Sequence, residues 1–199
     1  GAIYKTTDGG QTWKFRYGAP AVDLYSVSFT SVNVGSIVGG SGIILRTTNG
    51  GLRWFRQLSG VEQFGWSLKG ISYIDDSIGT AVGDQGVILK TTNGGSKWSM
   101  QASGTANSVY KVRFTDAMIG TAIGDAGIIL HTTDGGITWT TRATAVTDWL
   151  SGLTFMSKDT GLMVGSHGTI LKTVDGGVTW KSQTTGSRTA YYSVSFEIG

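Results

Sequence analysis

One nine-residue stretch recurs five times in this chain. KTTDGGQTW begins at Lys5, RTTNGGLRW at Arg46, KTTNGGSKW at Lys90, HTTDGGITW at His131 and KTVDGGVTW at Lys172. The tryptophans that close the copies (Trp13, Trp54, Trp98, Trp139 and Trp180) stand 41, 44, 41 and 41 residues apart. A period of this length with turn glycines and β-branched flanks is what propeller blades show. Helical repeats of similar length need apolar positions every 3.6 residues, and no window of the chain has them.

Four strand-like runs fit within each period. The first alternates, as in LYSVSF from Leu24 and VYKVRF from Val109, and the last copy is YYSVSFE from Tyr191. The second is small and apolar, as in VGSIVG from Val34 and IGTAVG from Ile78. The third is GIILRTT from Gly42 and its equivalents, and the fourth begins at each tryptophan. Four antiparallel strands per unit define an all-β fold, a β-propeller. The expectation is one domain over residues 1–199, with hairpins of the repeated motif near 5–13, 46–54, 90–98, 131–139 and 172–180. It has five blades of four strands. Because the chain begins on a third strand and ends just after a first strand, the N- and C-termini are expected to share one blade. No second strand is legible for that blade.

The hairpin motif reads as a structural staple. Asp8, Asn49, Asn93, Asp134 and Asp175 hold one position, where a short Asx oxygen accepts backbone amides just ahead of it. The two glycines that follow supply positive φ, and each tryptophan folds back over its hairpin. A calcium site needs six or more oxygens, and one carboxylate per repeat, replaced by Asn in two copies, is too few. No metal or cofactor is therefore expected.

The 32 glycines and single proline of the 199 residues fit many tight turns. Lys and Arg are scattered, the net charge is +3, and no polyanion-binding block is present, so no nucleic acid is expected as partner. The absence of cysteine excludes disulfides and thiolate metal sites. No apolar run is long enough to span a bilayer. A basic-then-apolar signal segment is missing too, and the chain starts inside a repeat, as expected if a targeting peptide has been removed.

TTDGGxTW resembles the Asp-box, or bacterial neuraminidase, repeat. The longer units GDQGVILKTTNGGSKW from Gly83 and GDAGIILHTTDGGITW from Gly124, each preceded by IGTAVG or IGTAIG, resemble the photosystem II stability/assembly factor-like family. That resemblance covers nearly the whole chain. It implies a propeller that assembles or scaffolds proteins, placed outside the cytoplasm (secreted, periplasmic or lumenal). Photosynthetic members of the family have seven blades and hold a reaction-centre subunit through an arginine-rich patch. This chain has five repeats, and Arg46, Arg53 and Arg56 flank a single hairpin.

Asp-box propellers also include glycoside hydrolases, which need two carboxyl groups across the scissile bond. The chain has two glutamates, Glu62 and Glu197, one in a loop and one at the C-terminal end. His131 and His167 lack a nucleophile signature, and His131 reads as a strand-surface residue in a slot otherwise held by Lys or Arg. No catalytic residue is assigned, and a hydrolase is the weakest reading. Loops on a rigid frame carry function, so binding is expected where the repeats differ. The fourth-to-first loops supply Asp23, Tyr25, Glu62, Phe64, Trp66, Tyr110, Asp148, Trp149, Arg188 and Tyr191. The second-to-third turns supply Asp84, Gln85, Asp125 and His167. Lys111 and Arg113, two cations on an inner strand, are expected to face a wet channel or an anion. The partner expected at this rim is a protein, with a glycan-binding, lectin-like role as the alternative.

Overall fold

The structure, a computed structural model, describes residues 1–18 and 22–196. Eighteen strands and five short 3-10 turns make up its regular elements among the described residues. Strands β1 (Ala2–Lys5) and β2 (Lys14–Gly18) form a two-stranded sheet. β3 (Leu24–Phe29), β4 (Gly35–Gly39), β5 (Ile44–Thr47) and β6 (Phe55–Gln57) form a four-stranded sheet in chain order. The same order holds for β7 (Leu68–Tyr73), β8 (Gly79–Gly83), β9 (Ile88–Thr91) and β10 (Ser99–Gln101). It recurs in β11 (Val109–Phe114), β12 (Gly120–Gly124), β13 (Ile129–Thr132) and β14 (Thr140–Thr141). It is found again in β15 (Leu150–Phe155), β16 (Gly161–Gly165), β17 (Ile170–Thr173) and β18 (Lys181–Ser182). Each is the antiparallel meander of a propeller blade.

Two compact units divide the chain: Gly1–Ala81 with Leu89–Ser99, and Val82–Ile88 with Met100–Gly199. In the first, Ile37, Ile43, Leu45 and Trp54 form a core to which Ile3, Tyr17, Val22 and Leu24 add. In the second, alternate residues of the same strands serve two cores, because side chains of a strand point to opposite faces. Ala122 and Leu130 join Val82, Ile88, Val109, Val112 and Trp139. Their neighbours Ile123 and Ile129 join Leu150, Met163 and Leu171. With both faces covered, the second strands β4, β8 and β12 are buried at every residue. That accounts for their unbroken run of small and apolar side chains.

The glycine that opens each second strand has a packing reason. A Cβ on Gly35, Gly79, Gly120 or Gly161 would stand within 2.8 Å of the ring of Phe29, Tyr73, Phe114 or Phe155 on the first strand. Those same rings meet the hairpin tryptophans Trp54, Trp98, Trp139 and Trp180 edge to face, at centroid separations of 6.0–6.2 Å. Aromatic pairs favour this arrangement. First strand, second strand and hairpin are thereby locked together in each four-stranded sheet.

The sharing of one blade by the two chain ends is not seen in the strand pairing: β1–β2 stands as a two-stranded sheet, and Tyr191–Phe196 carries no strand. In the four complete sheets both the first and the third strand take their ladder from the second, and among the described residues β1 pairs with β2 alone. Glu197 lies outside the described residues.

Leu130 is fully buried in one of the two cores of the second unit. Leu130→Ala is expected to lower the unfolding free energy by about 2–5 kcal/mol, measured by urea denaturation.

Candidate functional site

The hairpins carry the most regular polar chemistry of the molecule. In every copy the first threonine accepts the amide of the second glycine: Thr6 Oγ1 from Gly10 at 2.8 Å, Thr47 from Gly51 at 2.8 Å, Thr91 from Gly95 at 2.8 Å, Thr132 from Gly136 at 2.9 Å and Thr173 from Gly177 at 3.0 Å. The Asx oxygen accepts the amide four residues on, at 2.9 Å in all five copies. Both glycines of each pair lie at positive φ, between 67° and 93°.

The choice between Asp and Asn follows from a further contact. Where the Asx residue is Asp, the residue four on is threonine, whose hydroxyl donates to the second carboxylate oxygen: Thr12 to Asp8, Thr138 to Asp134 at 2.6 Å and Thr179 to Asp175 at 2.6 Å. Where it is Asn, that residue is Arg53 or Lys97, which has no hydroxyl to give. Hydrogen bonds to the ionised form depress a carboxyl pKa. Asp8 is lowered to about 2, with the Thr12 hydroxyl as the main cause. Asp134 is lowered through Thr138. For Asp175 partial burial works against ionisation, but the Thr179 hydroxyl and amide outweigh it and bring the carboxyl to about 2.

His131, expected at the strand surface, is instead buried. His131 is 1% exposed, packed between Thr121 Oγ1 (3.5 Å from Nδ1) and Gly177, and burial, aided by the charge of Arg142, lowers its pKa. Arg46 is buried as well. It donates to Ser36 Oγ at 3.2 Å and to the Asp76 carbonyl at 2.5 Å, with its guanidinium 4.8 Å from the Tyr73 ring centre. Lys5 donates to the Gly50 carbonyl at 2.6 Å. Through Lys5 and Arg46 the slot fastens one sheet to the next.

The loop residues expected to bind fall into separate groups. In the first unit Phe64 and Trp66 stack at 4.5 Å with planes 25° apart, and the Lys69 ammonium lies 4.3 Å from the Tyr25 ring centre. The 44-residue spacing arises here: three extra residues fall between Trp54 and Leu68 and form the turn Glu62–Phe64, ended by Gly65 at φ +68°. Glu62 does not face outward as a ligand group. Its two oxygens accept the amides of Ser59 and Gly60, both at 2.8 Å; partial burial opposes ionisation, yet these amides keep its pKa low. Asp23 is exposed, and its carbonyl accepts the Gly40 amide at 2.8 Å.

In the second unit Tyr110 donates to Asp125 at 2.6 Å, and burial together with Asp125 and Asp84 pushes the phenol up to about 12. Asp148 accepts Ser166 Oγ at 3.0 Å and Thr169 Oγ1 at 2.7 Å, and lies 2.6 Å from His167 Nδ1. The Thr169 hydroxyl and then His167 lower its pKa. Trp149 packs on Tyr192 at 5.4 Å, and the backbone of Tyr191 is tied to Gly165 and to Ser151. Gln85 and His167 are at the exposed tips of their turns, both at positive φ, as are Ser41 and Ala126. Arg188 and Arg113 are exposed and Lys111 is half-buried.

Ser166, His167 and Asp148 do not make a nucleophilic relay. A triad needs the imidazole between hydroxyl and carboxylate, whereas here serine and histidine both bond the same Asp148 oxygen. Among the described residues Glu62 is the one glutamate, and it is tied to its own loop.

Fold and hairpin geometry define an Asp-box β-propeller protein. Residues 4–15 and 130–141 match the BNR/Asp-box repeat, and residues 17–104 match the family described as photosynthesis system II assembly factor YCF48. The chain carries Asp-box repeats and, over residues 17–104, somewhat less than half of its length, is similar to this assembly-factor family. It is similar to the structure of YCF48 bound to D1 peptide (22% identity, TM-score 0.68, 83% of this chain and 55% of that one). YCF48 from Cyanidioschyzon merolae is similar at 20% identity and TM-score 0.69, over 90% of this chain and 62% of that one. An ancestral GH74 enzyme matches at 18% identity and TM-score 0.74, over 94% of this chain but 29% of its own length. The chain thus spans little more than half of the two YCF48 chains. No curated protein matched it.

The three Asp hairpins give stability a defined pH dependence. Their folded pKa values lie below the unfolded value near 3.8, so their contribution is present above about pH 4 and is lost as pH falls towards 2. Urea midpoints are expected to drop mainly between pH 4 and 2. The double variant Asp134→Asn, Asp175→Asn should show a shallower drop over that interval.

Proposed function

We propose that this chain is a non-enzymatic, exported protein-binding propeller whose loop rim holds a protein partner during assembly. The observation that carries this reading is the inserted turn at Glu62–Trp66. It is the one fourth-to-first loop that breaks the repeat length, and it presents a stacked aromatic pair, Phe64 and Trp66. Insertions in repeat proteins gather on the binding face, and rigid aromatics dominate protein hot spots. Support also comes from the polar groups. The Glu62 carboxylate is committed to amides of its own loop, that of Asp125 to the Tyr110 hydroxyl and that of Asp148 to the hydroxyls of Ser166 and Thr169, which holds the rim in shape and leaves no matched acid and base. A similar protein, YCF48, has been seen bound to D1 peptide, which favours a peptide partner for this one. No helix among the described residues is long and apolar enough to cross a membrane.

A glycan-binding role is the second reading, favoured by the Trp149–Tyr192 pair, since sugar rings stack on such faces. Affinity capture from the native source, followed by titration of the captured partner, separates the two. Phe64→Ala with Trp66→Ala should weaken that partner about 30-fold or more, the scale of a hot spot of about 2 kcal/mol, with the melting temperature unchanged. Binding on a glycan array that Trp149→Ala abolishes, without any protein partner, would contradict the assembly reading.

A further inference from the structure

Two of the five hairpins carry Asn-Gly where the others carry Asp-Gly: Asn49-Gly50 and Asn93-Gly94, the two such dipeptides in the chain. In Asn-Gly the glycine amide nitrogen can attack the asparagine Cγ, because no Cβ on glycine shields it. The new N–Cγ bond forms as Cγ–Nδ2 breaks. The amide proton passes to solvent, and Nδ2 takes up a proton and leaves as ammonia. Water then opens the cyclic imide at one of its two carbonyls. The product is aspartate or, when the backbone runs through the former side chain, isoaspartate. The reaction needs an amide proton free to leave and a Cγ free to swing against the nitrogen.

The folded hairpins deny both. The Gly50 amide donates to the Asn33 carbonyl at 2.7 Å, and the Gly94 amide to the Ser77 carbonyl at 2.9 Å. The Asn49 oxygen is held by the Thr47 hydroxyl at 3.0 Å and the Arg53 amide at 2.9 Å, and the Asn93 oxygen by those of Thr91 and Lys97 at the same distances. The far side of each glycine is fixed as well, since the Gly50 carbonyl accepts Lys5 Nζ and the Gly94 carbonyl accepts Gln57 Nε2. Both asparagines are nevertheless exposed. Water reaches them, and conformation alone stands in the way. We propose that Asn49 and Asn93 are gated deamidation sites, shut in the closed hairpin and modified whenever the hairpin opens. The two products differ in consequence. Aspartate already fills this slot in three copies, where it accepts the amide four residues on. Isoaspartate lengthens the backbone of the turn and takes that acceptor away, so the staple is not remade. This inference is independent of the rim loop and its partner.

Peptide-mapping mass spectrometry of the full chain, incubated at mildly alkaline pH, reads each site separately as ammonia lost and water gained. Conversion at both sites is expected to be about tenfold or more slower in the native chain than in guanidinium chloride, because reaction waits for local opening. Thr47→Val unlatches one hairpin: it strips the Asn49 oxygen of a donor and the Gly51 amide of its acceptor. In native buffer it should speed Asn49 about tenfold or more and leave Asn93 within about twofold, with Thr91→Val doing the reverse. Thr47→Ser, which keeps the hydroxyl, is expected to keep the wild-type rate. Equal rates in the native and the denatured chain overturn the proposal. A rise in Thr47→Val that Asn93 shares equally also overturns it, since the hairpin would then not be the gate.

Discussion

Two side-chain oxygens per hairpin hold this structure together. A tight turn on two left-handed glycines exposes backbone amides that no strand can satisfy, and an unsatisfied buried amide costs about 1–3 kcal/mol. The motif threonine and the Asx residue accept those amides in all five copies, at 2.8–3.0 Å. With the turn fixed, the tryptophan returns at one angle and meets the first-strand aromatic, whose ring in turn lies on the opening glycine of the second strand. Removing the staple would leave the aromatic lock without an anchor.

The same hairpins join neighbouring sheets. Lys5 reaches the carbonyl of Gly50 in the next hairpin, and Gln57 Nε2 reaches that of Gly94 at 2.8 Å. Arg46 reaches Asp76 just ahead of the following second strand. Carbonyls turned outward by the left-handed glycines are thus consumed by cations and amides of the preceding repeat. A buried guanidinium is costly unless its donors are used, and Arg46 uses its own on Ser36, on Asp76 and on the face of Tyr73. In the second unit His131 takes the corresponding slot, where burial disfavours its charged form.

Most of the fold was legible because the repeat is long, regular and closed by a bulky residue. Strand order and hairpin position both follow from the tryptophan spacing. Less legible were features that depend on what lies across a sheet interface. His131 sits in a slot of lysines and arginines, which suggests solvent, yet the next hairpin covers it. Glu62 reads as a loop ligand because nothing in sequence shows that its carboxylate turns back on Ser59 and Gly60. The pairing of Asp with Thr, and of Asn with Arg or Lys, four residues apart was visible in the five copies and marks the second carboxylate contact. The three-residue excess between Trp54 and Trp98 is present in the sequence, and the structure shows that it forms the aromatic turn. The sharing of one blade by the chain ends is not seen in the strand pairing, where β1 and β2 form a two-stranded sheet among the described residues.

Regular positions therefore build the frame, and the loops that depart from the repeat carry what is specific to this protein. Native-state hydrogen exchange of the five amides accepted by the motif threonines tests the first half of that claim most directly. Gly51, Gly95, Gly136 and Gly177 are buried and Gly10 is exposed. The account predicts exchange through global unfolding for those four, and much faster exchange for Gly10. Fast exchange at all five, with the strands still protected, would show that the staples do not hold the sheets.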